Sequence, residues 1–594
     1  MKKVLILEGK IEQKVLGYDH TFSFCSNLAD SFPQDYATET EIEATYDQEF
    51  ELMVHYLRHP ETKEAFSYRD VDLLWCFKKT VIEFSFYIRW RYDILKKIMA
   101  KFPTAQFYLE KSDEISQYPS LEKVIQSSPL KGNPNIYTFE KQKVRFENTL
   151  AKQIFVHQSP FPNVVKIGKL NASKICIFSD YEKSKSILRK TKSEGCVLFS
   201  NAKSPKTLLR AIVNQTAFYQ SAYDPKKRGG IYQEKTEAFV GSLDKSKLFS
   251  NFAMGELRGE ELLKAEVVRL FKSTLPRLLF EIDHMHRFFS EATSLRSVLL
   301  DEDVSASKSA FCQAARRYGI LSAVECHGAL ARKNGILPLT ADLVFVWGRA
   351  QKNKLISWGC PEEQIMVSGC SRYNQYQKMD TQHVRNKIAK QFGFDPNGKI
   401  VLLAFPSTTI NRGRWFWEDQ INKNIFATLK ALAESLSEID SMQLLIKVHP
   451  GDERLAHYKE WVVKQRESFK NRVNIAYQFD PLLLAKAANF LIVYMSTYAV
   501  EGFALDKPVI YLFSDEDRML NEIRCLDVFF YPRNDGELKA TIRQLIQNSA
   551  IKPGQWEEAK KEYLNEGCDQ AEDIIAPYLL DGRRSVPQKQ VMNV

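Results

Sequence analysis

Ser496 and Thr497 follow directly on the apolar run 490–495 (FLIVYM), and His449 with Pro450 ends another, 442–448 (MQLLIKV). Hydroxyls donate to a phosphate, and a protonated imidazole adds a charge-assisted hydrogen bond to the same group. Proline offers no N–H to a ladder, so Pro450 breaks the strand just after it has delivered His449 to its end. Ser496 and Thr497 also precede a helical stretch, where they can cap its free N–H groups while the dipole favours an anion. Glu501 lies about one turn into that helix, placed to accept from the two hydroxyls of a ribose. Ser407 and Thr408 follow a third run, 399–405 (KIVLLAF), and are lesser candidates for the same anion. Lys447 shares a strand face with His449 and adds charge beside an acidic ligand.

A second group of reactive residues stands earlier. Asp301, Glu302 and Asp303 follow the run 296–300 (RSVLL), and His327 with Gly328 ends the next, 320–326 (ILSAVEC). Carboxylates and an imidazole at neighbouring strand ends can move a proton. Asp301 or Asp303 would act as base or nucleophile, and His327 would position or protonate. His284 and His286 are two apart on a helical stretch, which puts them on different faces, and no metal site is expected. The chain has neither a P-loop nor a strand-linked G-x-G-x-x-G, which argues against kinase and dehydrogenase chemistry.

These residues matter only if the elements around them form open parallel sheets, where ligands bind beyond the carboxyl ends of the strands. The rhythm of the chain predicts such sheets. Residues 1–235 alternate short apolar strands (KVLILEG, VDLLWCF, AQFYLE, KQIFVHQ, SKICIFS, GCVLFSN) with helical stretches, and close in a turn-prone segment, YDPKKRGGIYQEK. Residues 236–385 open with long amphipathic helices and continue as strand, helix, strand; residues 386–580 repeat the pattern and end in a helix pair. Residues 581–594 read as a tail. The expected class is therefore α/β, with two Rossmann-like domains facing a cleft: an acceptor and catalytic domain, 236–385, and a donor domain, 386–580. The additional α/β region at the N-terminus is either an elaborated part of the acceptor half or a separate module.

The strand-end residues carry a resemblance. His449-Pro450 followed by Ser496-Thr497, in the second half of a two-Rossmann chain, resembles the HP and S-S/T motifs of CMP-sugar-using bacterial GT-B transferases. Those include the GT-B sialyltransferases and the β-Kdo transferases of surface polysaccharide assembly. EGFALDKPVI is similar to the E-x-x-x-x-G-K-P-V-I element of many GT-B enzymes, whose glutamate binds ribose; Asp506 stands where glycine is usual. The HG of residues 327–328, with ADLVFVWG and VSGCSR downstream, resembles the Q-H-G…AD…WG…G-x-x-R run of surface-carbohydrate transferases. Glu325-Cys326 replaces the more typical residues before His327. The resemblance covers residues 296–515 and does not reach 1–235.

The resemblance implies a GT-B-like fold and a glycosyltransferase that moves a sugar, Kdo or a related ulosonic acid, from a CMP-activated donor to a surface-polysaccharide acceptor. The nucleotide would be held by His449, Pro450, Ser496, Thr497, Glu501, Ser407, Thr408 and Lys447, with no metal and no cofactor beyond the donor substrate. Three alternatives share these features: a CDP-glycerol polyol-phosphate transferase, a UDP-sugar 2-epimerase-like enzyme and a non-catalytic GT-B scaffold. A formal charge of +10 suits an anionic partner, and without a long Lys/Arg block nucleic acid is not expected. The expected partners are a nucleotide-sugar and a glycan or lipid-linked glycan, met in the cytoplasm at the inner face of a bacterial inner membrane. Ten cysteines scattered without a C-x-x-C pair favour neither structural zinc nor a disulfide scaffold.

Overall fold

A computed structural model describes the chain apart from residues 1, 8–16, 24–30, 32–35, 112–120, 141–163, 180, 202–204, 246–252, 255–256, 259, 327, 329, 331–332, 406–414, 450–451, 453, 470, 478, 495, 513–527, 549–555, 566–569 and 583–594. The described strands build three main sheets. The first contains β1 (Lys3–Leu7), β2 (His20–Ser23), β3 (Gln106–Lys111) and β4 (Ile136–Glu140), parallel throughout, in the order β2-β1-β3-β4.

The second sheet has eight strands: β5 (Val164–Ile167), β6 (Ile175–Phe178), β7 (Cys196–Ser200), β8 (Ala217–Ser221), β9 (Ser297–Leu300), β10 (Leu321–Glu325), β11 (Leu343–Val346) and β12 (Ile365–Val367). Their order is β12-β11-β10-β9-β6-β7-β8-β5, and only the edge strand β5 is antiparallel. The third sheet contains β13 (Lys399–Ala404), β14 (Met442–Val448), β15 (Val473–Tyr477), β16 (Phe490–Tyr494) and β17 (Val509–Leu512), all parallel, in the order β15-β14-β13-β16-β17.

Both larger sheets are doubly wound. Strand order reverses between β6 and β9 in the second and between β13 and β16 in the third, which creates a crevice at the carboxyl ends of each pair. Period-two patterning drives this. Along β13, Ile400, Leu402 and Ala404 enter one core while Val401 and Leu403 enter the core on the opposite face. The α/β class and the GT-B-like pair of Rossmann-like units expected from the sequence are present, with a further α/β sheet at the N-terminus.

The division at residue 235 does not coincide with a division between sheets. Strands β5 to β8, residues 164–221, hydrogen-bond into the second sheet beside β9. Residues 3–140 form the separate sheet, and its helices α1 (Glu39–Arg58) and α2 (Lys78–Lys101) share one continuous core with the second sheet through the long helix α3 (Glu260–Glu291). The turn-prone segment YDPKKRGGIYQEK opens the helix Pro225–Lys245: Pro225 fits a first helical turn, where its missing N–H is no loss. VDLLWCF is not a strand either. After the short pairing of Val71–Asp72, the Asp72 side chain accepts from Trp75 N at 2.9 Å and starts the helix Leu73–Cys76. The run KQIFVHQ lies outside the described residues.

The end of the chain crosses back. After the third sheet come α9 (Trp556–Leu564) and α10 (Ala571–Asp581); the helices used below that precede them are α4 (Ala306–Arg317), α5 (Ser371–Gln377), α6 (Thr381–Phe392), α7 (Pro481–Ala487) and α8 (Tyr498–Ala504). Ile575 and Leu579 of α10 enter the core formed by Ile175, Leu299, Leu321 and Leu343 of the second sheet. Ser297 Oγ donates to Leu579 O at 2.6 Å and Arg296 Nη1 to Leu580 O at 3.0 Å. Residues 571–581 thus pack on the second sheet and not on the third, to which the sequence pattern joins them. No helix among the described residues is long and apolar enough to cross a membrane.

Candidate functional site

Asp301 stands one residue beyond β9, at the crevice of the second sheet. Its Oδ1 accepts from Lys308 Nζ at 2.5 Å, and the same ammonium lies 3.1 Å from Glu302 Oε1. Lys308 reaches back from the first turn of α4. Glu302 in turn accepts from the backbone N–H groups of Val304 and Ser305, each at 2.8 Å, closing the turn that leads into α4. Burial pushes the Glu302 carboxyl up, but Lys308 and Ser305 outweigh it and leave it below the ordinary value.

Asp303 points elsewhere. It is 1% exposed, and its Oδ2 accepts from Thr340 N at 2.5 Å and Ala341 N at 2.8 Å. Lys78, on α2 of the N-terminal region, donates to Asp303 O at 2.8 Å and to Thr340 Oγ1 at 2.5 Å. Asp303 therefore ties the loop before β11 to the N-terminal region, and its Oδ1 is buried with no hydrogen-bond partner among the described residues. Burial raises its pKa, so removing it from water is not fully offset by these donors. His327 lies outside the described residues.

On the third sheet, Lys447 is the sixth residue of β14, in register with Ala404 and Ala476. Its Nζ sits 4.7 Å from the centroid of the Tyr498 ring, and burial lowers its pKa against the opposing pull of Glu501. His449 follows β14 and is exposed; its carbonyl accepts from Asp452 N at 2.9 Å. The turn beyond is pinned by Asp452, buried and bound by Arg454 through both carboxylate oxygens at 2.9 Å. Pro450, Ser407 and Thr408 lie outside the described residues.

Ser496 and Thr497 are half-buried at the crevice end of β16. Ser496 Oγ accepts from Tyr498 N at 3.3 Å, while Thr497, at the N-cap position of α8, makes no side-chain capping bond. The pair therefore does not cap in the way their types predict: the Ser496 hydroxyl braces the turn and the Thr497 hydroxyl makes no capping bond.

Glu501 is 8% exposed on α8. Its Oε1 accepts from Arg372 Nη2 at 2.8 Å, and its Oε2 is buried with no hydrogen-bond partner among the described residues. Arg372 belongs to the second half of the site, on α5 just after β12. This ion pair is the contact that the strand-end residues did not disclose, although Arg372 stands in the VSGCSR segment.

Helix α5 proves to be the joint of the molecule. Its first N–H, on Ser371, donates to Glu325 Oε1 at 2.9 Å, and Ser186 Oγ donates to Ser371 O at 2.9 Å. These bonds fix α5 to the second sheet. From the same helix Arg372 reaches Glu501, Tyr376 OH donates to Asp480 Oδ2 at 2.7 Å and Gln377 Nε2 to Ala504 O at 2.9 Å, all on the third. Asn374 Nδ2 donates to Glu572 of α10 at 2.6 Å. Glu325, at the carboxyl end of β10, is pushed up to about 7 by burial, with the Ser371 hydrogen bonds and Arg372 pulling the other way. A cavity of about 580 Å³ lies outside this cleft, between the N-terminal helices and the 337–341 loop, lined by Trp75, Arg316 and Trp358 among others.

No protein-family model matches the chain, and no curated protein matches it. Solved structures do. The UDP-GlcNAc 2-epimerase from Methanocaldococcus jannaschii superposes with a TM-score of 0.44 and 14% identity, over 68% of this chain and 98% of that one. A glycosyltransferase from Rickettsia africae gives 0.38 and 12%, over 69% and 96%. Anabaena HepE in complex with UDP gives 0.40 and 13%, over 69% and 100%. Scores of this size leave the chemistry of the site to be read from the chain's own residues.

Proposed function

We propose that the chain is a nucleotide-sugar-dependent glycosyltransferase whose third sheet holds the donor and whose second sheet holds the acceptor. The observation that carries this reading is the orphaned Oε2 of Glu501, a buried carboxylate oxygen on the helix that starts after Ser496 and Thr497 at the crevice end of β16. A ribose hydroxyl supplies the donor that this oxygen lacks. His449 and the Thr497 hydroxyl then meet the phosphate, and Arg372 keeps Glu501 aimed. Lys447 acts from beneath, bracing α8 through Tyr498 and adding positive potential near an acidic sugar.

With Asp303 engaged in a clamp, Asp301 is the carboxylate that takes the acceptor hydroxyl's proton, and Lys308 fixes its orientation. Transfer then rests on alignment of donor and acceptor across the cleft and on stabilisation of the departing phosphate by fixed donors. The donor that fits the HP and Ser-Thr pair is a CMP-activated ulosonic acid such as Kdo, built into a bacterial capsule or lipopolysaccharide glycan at the inner face of the inner membrane.

The test is release of CMP from CMP-Kdo in the presence of a membrane glycolipid extract. Acceptor-dependent release supports the reading. Turnover of a UDP-sugar without acceptor would replace it with an epimerase, and transfer of glycerol phosphate from CDP-glycerol would replace it with a polyol-phosphate transferase.

A further inference from the structure

The EGFALDKPVI element contains a feature that donor binding does not use. Asp506, standing where glycine is usual, has a φ of 60°, the left-handed region that glycine enters freely and aspartate tolerates. Its carboxylate receives Lys560 Nζ of α9 at 2.8 Å and Trp556 Nε1 at 3.4 Å. The next residue, Lys507, is 8% exposed, and its ammonium makes no hydrogen bond or ion pair with any described residue. It interacts electrostatically with two further cations, Arg385 of α6 and Lys486 of α7, and with Asp506.

Among the described residues, those two cations hydrogen-bond to neutral groups. Lys486 Nζ donates to Gln377 O at 3.0 Å, and Arg385 Nε donates to Ala487 O at 3.1 Å. Asp506, the one acid against Lys507, is already ion-paired with Lys560. Asp380, the other acid near Lys486, caps α6 through Gln382 N. Burial, then Arg385 and Lys486, bring the Lys507 pKa down to about 7. A buried ammonium without a counter-charge is strongly unfavourable, and a cluster of this kind is relieved by an anion from outside.

We propose that Lys507, Lys486 and Arg385 form a binding site for a small oxyanion of the phosphate class at the amino-terminal edge of the third sheet. An ammonium and a guanidinium fork together present donors that match tetrahedral oxygens. The site is distinct from the candidate donor site. Lys507 precedes β17, whereas Ser496 follows β16, and a strand of this length separates the two edges by about 16 Å.

The experiment is thermal unfolding and calorimetric titration of the full chain with inorganic phosphate, against sodium chloride at matched ionic strength. Wild type and His449→Ala both gain about 3 °C at a tenfold excess over Kd. Lys507→Gln gains nothing, and without phosphate it melts above wild type, because the uncompensated charge is gone. Arg385→Gln, at a half-buried position, binds phosphate about tenfold more weakly and serves if Lys507→Gln does not fold. A parallel titration with glycerol 1-phosphate separates a site for free phosphate from one for an esterified group; binding of either keeps the site. No phosphate-specific gain in wild type, or an undiminished gain in Lys507→Gln, overturns it.

Discussion

Asp301 and Asp303 are two residues apart and have opposite environments. Asp301 ends at the crevice on Lys308, while Asp303 is sealed under Lys78 against the backbone of Thr340 and Ala341. Asp301→Asn should therefore lower kcat by a factor of 10² or more with little change in melting temperature, as expected for loss of a general base. Asp303→Asn should do the reverse, lowering the melting temperature while kcat at a permissive temperature stays within a few-fold. Paired kinetics and calorimetry on the two variants check this. Equal kinetic losses in both would return Asp303 to the reaction.

Glu325 offers a second residue-scale test. Its folded pKa of about 7 lies above the ordinary 4.5, so the folded protein holds this proton more tightly than the unfolded chain. The stabilisation is fully present below about pH 4.5 and is lost as pH rises through 7. Glu325→Gln cannot ionise and can still accept from Ser371 N. It should melt above wild type at pH 8, with the gap closing towards pH 5. A gap independent of pH would mean that Glu325 is not the titrating group.

At the scale of elements, strands were readable because buried parallel strands are short unbroken apolar runs, as in KIVLLAF and MQLLIKV. Segments whose local signals are overruled by tertiary contacts were not. VDLLWCF looks like a strand until Asp72 caps a helical turn, and a Gly-Gly pair in YDPKKRGGIYQEK hides a helix that packs along α3. In the candidate site, strand-end position is what singled out Asp301, Lys447 and His449, and the helix after β16 singled out Glu501. Neither was enough to find Arg372 or Glu325, whose importance comes from α5 bridging two sheets that sequence spacing cannot bring together.

Gly348 shows how tightly the returning C-terminal helices are seated. A Cβ there would overlap the carbonyl of Glu562 and the backbone of Tyr563 in α9. Gly348→Ala should lift α9 and α10 from the second sheet, lower the melting temperature by several degrees and expose the C-terminal segment to limited proteolysis. An unchanged cleavage pattern would show that the close approach can relax at no cost.

At the scale of the whole molecule, three parallel sheets stand in series with unequal joints. The first and second share one apolar core, so the N-terminal region is expected to move with the second sheet. The second and third meet through α5, whose Tyr373 and Tyr376 enter the core of the third sheet together with Trp347 from the end of β11, through the Arg372–Glu501 ion pair and through α10, which Asn374 of α5 holds. This joint, part apolar and part ion-paired, is where closure around a nucleotide would be felt. Calorimetric titration of wild type and Glu501→Gln with CMP, CDP, UDP, GDP and ADP tests nucleotide binding most directly. The expected result is a preference for cytidine nucleotides and a loss of about tenfold in affinity on substitution, the scale of one charged hydrogen bond. Absence of nucleotide binding, or an affinity that Glu501→Gln leaves unchanged, would contradict it.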